Sequence, residues 1–144
     1  MIALGSDHGG FELKNHIAEH LKEKGIEFRD YGVFDEKSVD YPDCARPVCE
    51  AVQSGTADRG ILVCGTGIGI SIAANKFKGI RAALCSDVYS AKMSKEHNNA
   101  NIICLGGRVT GRELAFMIVD TWMETEFAGG RHEGRIAKIH QIEE

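Results

Sequence analysis

The chain has 144 residues, 43% of them hydrophobic and 26% charged, with a formal net charge of −4. That is enough for one domain with a proper core, and the mild acidity argues against a general nucleic-acid binder. No run of about 18 apolar residues occurs, so no membrane span is expected; the start, Met1-Ile2-Ala3-Leu4-Gly5-Ser6-Asp7, shows no signal peptide and reads as cytoplasmic.

Met1 to Ser6 reads as a short buried strand ending at Asp7-His8-Gly9-Gly10. A helix follows, with Leu13, Ile17 and Leu21 four apart on one face, and Gly25 stops it. Glu27 to Tyr31 is a second strand, followed by a polar loop from Gly32 to Asp40. Pro42 suits the first turn of a helix running to about Ser54, although Pro47 weakens that reading unless the helix starts later or kinks. The third strand, Gly60 to Cys64, leads through a glycine-rich loop into a helix-compatible segment from Ile70 to Lys76. Arg81 to Cys85 is a fourth strand, and Ser86-Asp87 can cap a helix reaching Glu96. Asn101 to Leu105 is a fifth strand. Thr110-Gly111-Arg112-Glu113 then has the form of a capping box, with Leu114, Met117, Ile118 and Trp122 sharing a face of the helix behind it. After Gly129-Gly130, Arg131 to Ile142 is helix-compatible, with Ile136, Ile139 and Ile142 on one side.

Strands alternating with helices predict a three-layer α/β/α, Rossmann-like fold with a five-stranded parallel sheet. The strands are apolar nearly throughout, as expected when both faces of a sheet are covered. Residues 1–144 read as a single domain. Ligands in such sheets bind beyond the carboxyl ends of the strands, where the strand order reverses. That rule gathers Asp7, His8, Cys64, Gly65, Thr66, Asp87 and Arg108. His97 and Asn98 precede the fifth strand and do not follow from it. The five cysteines, Cys44, Cys49, Cys64, Cys85 and Cys104, form no C-x-x-C pair and fit reduced thiols in a cytosolic compartment.

The stretch Cys64-Gly65-Thr66-Gly67-Ile68-Gly69 carries the strongest chemical signal. Its glycines allow a tight turn and close approach of another molecule, and their N–H groups, with a helix behind them, form an anion cradle. A thiol at the mouth of that cradle is expected to have a lowered pKa and to be partly thiolate. A base beside an anion hole suits reactions that generate an oxyanion. The same pattern also fits a plain strand–turn–helix junction with Cys64 in the core. Asp7-His8 is either a helix cap with a surface histidine or a pair that orients a hydroxyl and binds phosphate. His97-Asn98-Asn99-Ala100-Asn101 is either an asparagine-rich turn or a histidine acid–base held by an amide. Arg131 and Arg135 share one helix face that is either solvated or a phosphate-binding fork, to which Arg108 adds charge. The glycines also suggest a dinucleotide loop, with Asp87 about where a ribose-binding acid belongs, but the third comes one residue early for G-x-G-x-x-G. His8, Cys64 and His97 lack the short spacing of metal ligands, so no metal is expected.

Assembled, these motifs resemble the type B ribose-5-phosphate isomerases, in the family that includes the allose- and galactose-6-phosphate isomerases. The carriers are Ser6-Asp7-His8-Gly9-Gly10-Phe11-Glu12-Leu13-Lys14, Asp40-Tyr41-Pro42, Cys64 to Gly69, His97 to Asn101, Gly106-Gly107-Arg108 and Gly130-Arg131-His132, spread over essentially the whole length. The resemblance implies a cofactor-free aldose–ketose isomerase interconverting D-ribose 5-phosphate and D-ribulose 5-phosphate through a cis-enediolate. Carried over by position, Cys64 is the base moving a proton between C2 and C1, which places the chain with the thiol-using relatives rather than those with a glutamate. Thr66 assists proton exchange between O1 and O2, and the backbone N–H groups of Gly65, Gly67, Ile68 and Gly69 hold the enediolate. His97, with Asp7 nearby, opens the furanose ring, and Asn98 binds a sugar hydroxyl. His8, Arg108, Arg131 and Arg135 match phosphate-binding positions. The resemblance further implies a homodimer, or a dimer of dimers, with the site between subunits and the helix in 131–144 lying on the partner. An isomerase of a 6-phosphohexose such as allose 6-phosphate would share these residues, and a non-catalytic nucleotide-binding α/β module is the alternative of another class. Gly134 departs from the family pattern. Mid-helix glycine costs about 0.5–1 kcal/mol relative to alanine, so the two arginines are expected to order fully on docking.

Overall fold

Side-chain alternation along the strands divides the core in two. The computed structural model describes residues 1–144. In β1 (Ile2–Ser6), β3 (Arg59–Cys64) and β5 (Ile102–Gly106), successive side chains point to opposite faces of the sheet. Ile2, Leu4, Ile61, Val63, Ile103 and Leu105 pack on one face; Ala3, Leu62, Cys64, Ile102 and Cys104 pack on the other. Helices α1 (Phe11–Glu23), α4 (Val88–Glu96) and α5 (Arg112–Glu124) cover the first face, and α2 (Tyr41–Gln53) and α3 (Ile68–Ala74) the second. This double cover is why the three central strands read as apolar without a break.

The short strands β2 (Phe28–Asp30) and β4 (Ala82–Leu84) form the edges of a five-stranded sheet of order β2-β1-β3-β5-β4, with every neighbouring pair parallel. The chain leaves β1 for β2 and returns on the other side as β3, so the strand order reverses between the carboxyl ends of β1 and β3. Helix α6 (Arg131–Ile142) lies outside both core clusters; it is continuous through Gly134, and only His132 on it is buried. Ile136 is half-buried, whereas Ile139 and Ile142 are exposed.

Local details bear out one expectation and correct two. Helix α2 runs through Pro47 from Asp40, its N-cap, because Cys44, Ala45, Val48, Cys49 and Ala51 keep one face buried despite the hydrogen bond that proline cannot donate. No capping box forms at α5: Gly111 is the N-cap, and Thr110 is buried with its N–H on the Gly106 carbonyl at 2.9 Å. The buried stripe of α5 is Ala115, Ile118, Val119 and Trp122, while Leu114 and Met117 face outward. Ile118 and Trp122 fit either stripe by spacing, and the small Ala115 is what lets the helix lie close to the sheet.

Asp87 caps α4 as expected, its Oδ1 accepting from the Ser90 N–H at 2.6 Å, and this bond holds the carboxyl below its ordinary value. A carboxyl lowered in the folded state contributes stability above its unfolded pKa and loses it as pH falls through the lowered value. Asp87→Ala is therefore expected to lower the thermal midpoint at about pH 7, with the gap to wild type closing toward about pH 3. Parallel melts of the two proteins across that range check it.

Candidate active site

Three loops meet at the carboxyl edge of the sheet, following β1, β3 and β5. Their backbones are joined directly: Asp7 N–H donates to Val63 O at 3.2 Å, Gly107 N–H to Cys64 O at 2.8 Å, and Arg108 N–H to Gly65 O at 3.0 Å. A Cβ on Gly107 would sit 2.7 Å from the Gly9 carbonyl oxygen, so only glycine lets the first and third loops approach this closely. Asp7 is buried and its Oδ1 accepts from Gly10 N–H at 3.1 Å, capping a 3₁₀ turn over His8–Gly10. The His8 ring accepts the Val39 N–H on Nδ1 at 3.2 Å. A neutral ring that accepts there carries its proton on Nε2, the side left for a ligand. The loop bearing Val39 is anchored by Lys14, which is fully buried, paired with Asp30 at 2.9 Å and bonded to the Val33 carbonyl. Beside His8 lies a polar cavity of about 650 Å³ whose walls include Gly9, Glu12, His16, Arg108 and Arg112. Arg108 is exposed and has no carboxylate partner, so its charge is available to an anion.

Cys64 ends β3 with its side chain in the core cluster on the α2 and α3 face of the sheet, only 4% exposed. Its Sγ accepts the Gly67 N–H at 3.1 Å, a contact that strengthens when the acceptor is charged. Gly67 has a φ of +79°, and a Cβ there would meet Leu84 Cδ1 at 2.6 Å and the Leu105 carbonyl carbon at 2.8 Å, so both conformation and space require glycine. Thr66 is exposed, and its Oγ1 accepts from Ile68 N–H at 3.2 Å, leaving the hydroxyl proton free to be donated. The N–H groups of Gly67 and Ile68 are thus engaged within the loop. Gly65, Gly69 and also Ile70 have N–H groups with no partner in the chain. Ile70 escaped the sequence reading, although its place in the first turn of a helix marks it as an unsatisfied donor. Burial pushes the thiols of Cys44, Cys49, Cys85 and Cys104 upward, to about 12 for Cys49 and about 11 for Cys85. These four are packing groups.

His97, Asn98, Arg131 and Arg135 lie at the other end of the sheet. His97 caps the C-terminus of α4, just before β5, and stacks on His132 of α6 at 4.3 Å between ring centroids and 11° between planes. Burial, followed by the charges of His97, Arg131 and Arg135, pushes the His132 imidazole below its ordinary value. Both arginines are exposed, and neither has a carboxylate partner in the chain. In a parallel sheet the segment before a strand and the loop after it sit at opposite edges, here roughly 15 Å apart by the rise of β5. Within one chain, therefore, His97 and Asp7 do not meet. Nor does one chain bring His8, Cys64 and His97 together as metal ligands, and no cluster of three or more His, Cys, Asp or Glu side chains could hold a metal ion. No helix is long and apolar enough to cross a membrane.

Residues 2–139 match the family model described as ribose/galactose isomerase. The chain belongs to the ribose/galactose isomerase family. It is 52% identical over 143 residues to ribose-5-phosphate isomerase B of Escherichia coli (strain K12), covering 99% of this chain and 96% of that protein. The solved ribose-5-phosphate isomerase B of Clostridium thermocellum superposes with a TM-score of 0.98 at 59% identity, over 99% of this chain and 96% of that one. The enzyme of the same description from Mycoplasma genitalium, solved with bound ribulose 5-phosphate, gives a TM-score of 0.94 at 42% identity, over 99% and 95% of the two chains. Family membership at this identity makes the chain an aldose–ketose isomerase. In this ribose/galactose isomerase family member the carboxyl edge of the sheet carries a thiol, spare backbone donors and a polar cavity, and the amino edge a histidine, an amide and two arginines.

Proposed function

We propose that this chain interconverts D-ribose 5-phosphate and D-ribulose 5-phosphate at a site made by two copies. The carboxyl edge of one copy supplies Asp7, His8, Cys64, Thr66 and Arg108, and the amino edge of the second supplies His97, Asn98, Arg131 and Arg135. The observation that carries this reading is the Cys64 thiol, held by the Gly67 N–H beside unpartnered backbone donors in the loop whose Gly65 carbonyl takes the Arg108 N–H. In the reaction, His97 helps to open the furanose by moving a proton at the ring oxygen, with Asp7 facing it. The Cys64 thiolate then takes the C2 proton of the open aldose, and the electron pair moves through C1–C2 to O1. The resulting enediolate is held by the N–H groups of Gly65, Gly69 and Ile70, donors already in place when the charge appears. Thr66 carries a proton between O1 and O2, and the Cys64 thiol returns its proton to C1. Phosphate held by His8 and the arginines orients the reacting end, so remote binding supports proton transfer. No step here calls on a metal or cofactor.

Two inactive variants test the shared site. A mixture of Cys64→Ala and His97→Ala subunits, refolded together, forms hybrids in which one of the two sites has both residues intact. Such a mixture is expected to regain about a quarter of wild-type turnover of ribose 5-phosphate, as the two-fold arrangement dictates. Recovery with allose 6-phosphate exceeding that with ribose 5-phosphate would move the substrate to the six-carbon class. No recovery with any sugar phosphate would sink the two-copy site.

A further inference from the structure

Arg81 stands half-buried just before β4 and touches neither His97 nor the phosphate-binding arginines through their side chains. Its guanidinium instead binds the backbone and the helix that carry them. Nε donates to the Asn98 carbonyl at 3.1 Å and to the Asn99 carbonyl at 3.2 Å, and Nη2 donates to the same Asn99 oxygen at 2.8 Å. Nη1 lies 2.8 Å from His140 Nε2 on α6. A guanidinium has no acceptor, so His140 must accept on Nε2 and carry its proton on Nδ1. Nδ1 sits 3.2 Å from Glu143 Oε2, and Glu143 in turn receives the Gly79 N–H at 3.0 and 3.2 Å.

Two further observations separate this arrangement from an ordinary surface arginine. Arg81 has no carboxylate partner, and all three groups that accept from it are neutral. Asn99, whose carbonyl takes two of its donors, has a φ of +44°, and it is the one non-glycine residue in the left-handed region. A backbone held there persists where its surroundings over-determine it. Helix α6 is thereby fixed at both ends, at its start by the His97–His132 stack and near its finish by Arg81 and His140.

We propose that Arg81 is a positioning residue that clamps the His97–Asn98 turn and helix α6 into one unit, so that the ring-opening histidine and both phosphate arginines reach the second copy in fixed relation. The kinetic part rests on the isomerase reading above; the structural part does not. Lysine, a point charge on a flexible stem, cannot serve two carbonyls and an imidazole in one plane.

The test uses full-length Arg81→Ala and Arg81→Lys. Hydrogen exchange is expected to show lost protection at residues 97–99 and 131–135 in both, with β3 unchanged. Turnover of ribose 5-phosphate, which needs ring opening, should fall about 10²-fold, the loss associated with a misplacement of about 1 Å. Wash-in of solvent deuterium at C1 of saturating ribulose 5-phosphate needs Cys64 but no ring opening, and should stay within about twofold of wild type. Unchanged protection would overturn the clamp, as would wash-in falling in proportion to turnover. Should Arg81→Ala not fold, His140→Ala cuts only the helix arm; it should loosen 131–135, spare 97–99 and raise KM alone, and any other pattern counts against the proposal. A wild-type chain inactive on ribose 5-phosphate would sink the substrate reading, and the exchange result would still decide the clamp.

Discussion

Cys64→Ala is expected to lower kcat for ribose 5-phosphate by about 10²–10⁴-fold, the range for losing a positioned acid–base group, with KM little changed. The substitution deletes the sulfur that accepts the Gly67 N–H and leaves the polar cavity beside His8 and Arg108, where phosphate is proposed to bind, intact. Cys64→Ser separates the two parts of the argument. A serine oxygen can still accept from Gly67 and keep the loop in place, but it does not ionise near neutral pH. Serine should therefore match alanine in turnover while retaining wild-type stability. Steady-state kinetics with equilibrium binding of ribulose 5-phosphate checks both variants. A serine enzyme near wild-type turnover would show that Cys64 packs the strand and is not the base.

Trp122→Ala is expected to destabilise the fold by about 3–5 kcal/mol, as for other large core truncations. The indole is fully buried, its Nε1–H donates to the Ala100 carbonyl at 3.0 Å, and the Arg59 guanidinium lies 5.3 Å from the ring centre. Alanine leaves a cavity beneath α5 and an unpaired carbonyl in the segment leading from the His97–Asn98 turn into β5. Trp122→Phe keeps most of the volume and removes only the donor, which should cost about 1–3 kcal/mol. Urea unfolding of the three proteins measures the series. The phenylalanine variant should also lose more ribose 5-phosphate turnover than deuterium wash-in, because Ala100 follows the turn that carries His97.

Most of the architecture was legible before folding was considered. The strands and helices occur in the predicted order, and α6 begins at Arg131 and ends at Ile142 as the glycines before it and the isoleucine spacing within it suggested. The misreadings fell where two local solutions compete. Either Leu114 or Ala115 can share a stripe with Ile118, and the spacing rule does not choose between them; contact with the sheet does. Thr110 has the residue type for a cap, yet the turn after β5 uses it before the helix starts. At the site, the motif at Cys64 was plain, but which loop amides stay free was not. Gly67 and Ile68 spend theirs on Cys64 and Thr66, and Ile70 does not.

By itself the sequence determined the alternation of strands and helices, the double cover of the sheet and the residue types of the chemistry. Each follows from side-chain period or from short motifs whose meaning is local. Only the tertiary structure decided that His97, Asn98, Arg131 and Arg135 stand at the far edge from Cys64. Likewise, only folding brought Arg81 against two carbonyls of the turn and a histidine of the last helix. The reason is geometric: in a parallel sheet, nearness along the chain does not say which edge a residue occupies, and contacts between distant segments exist only once the strands are laid side by side.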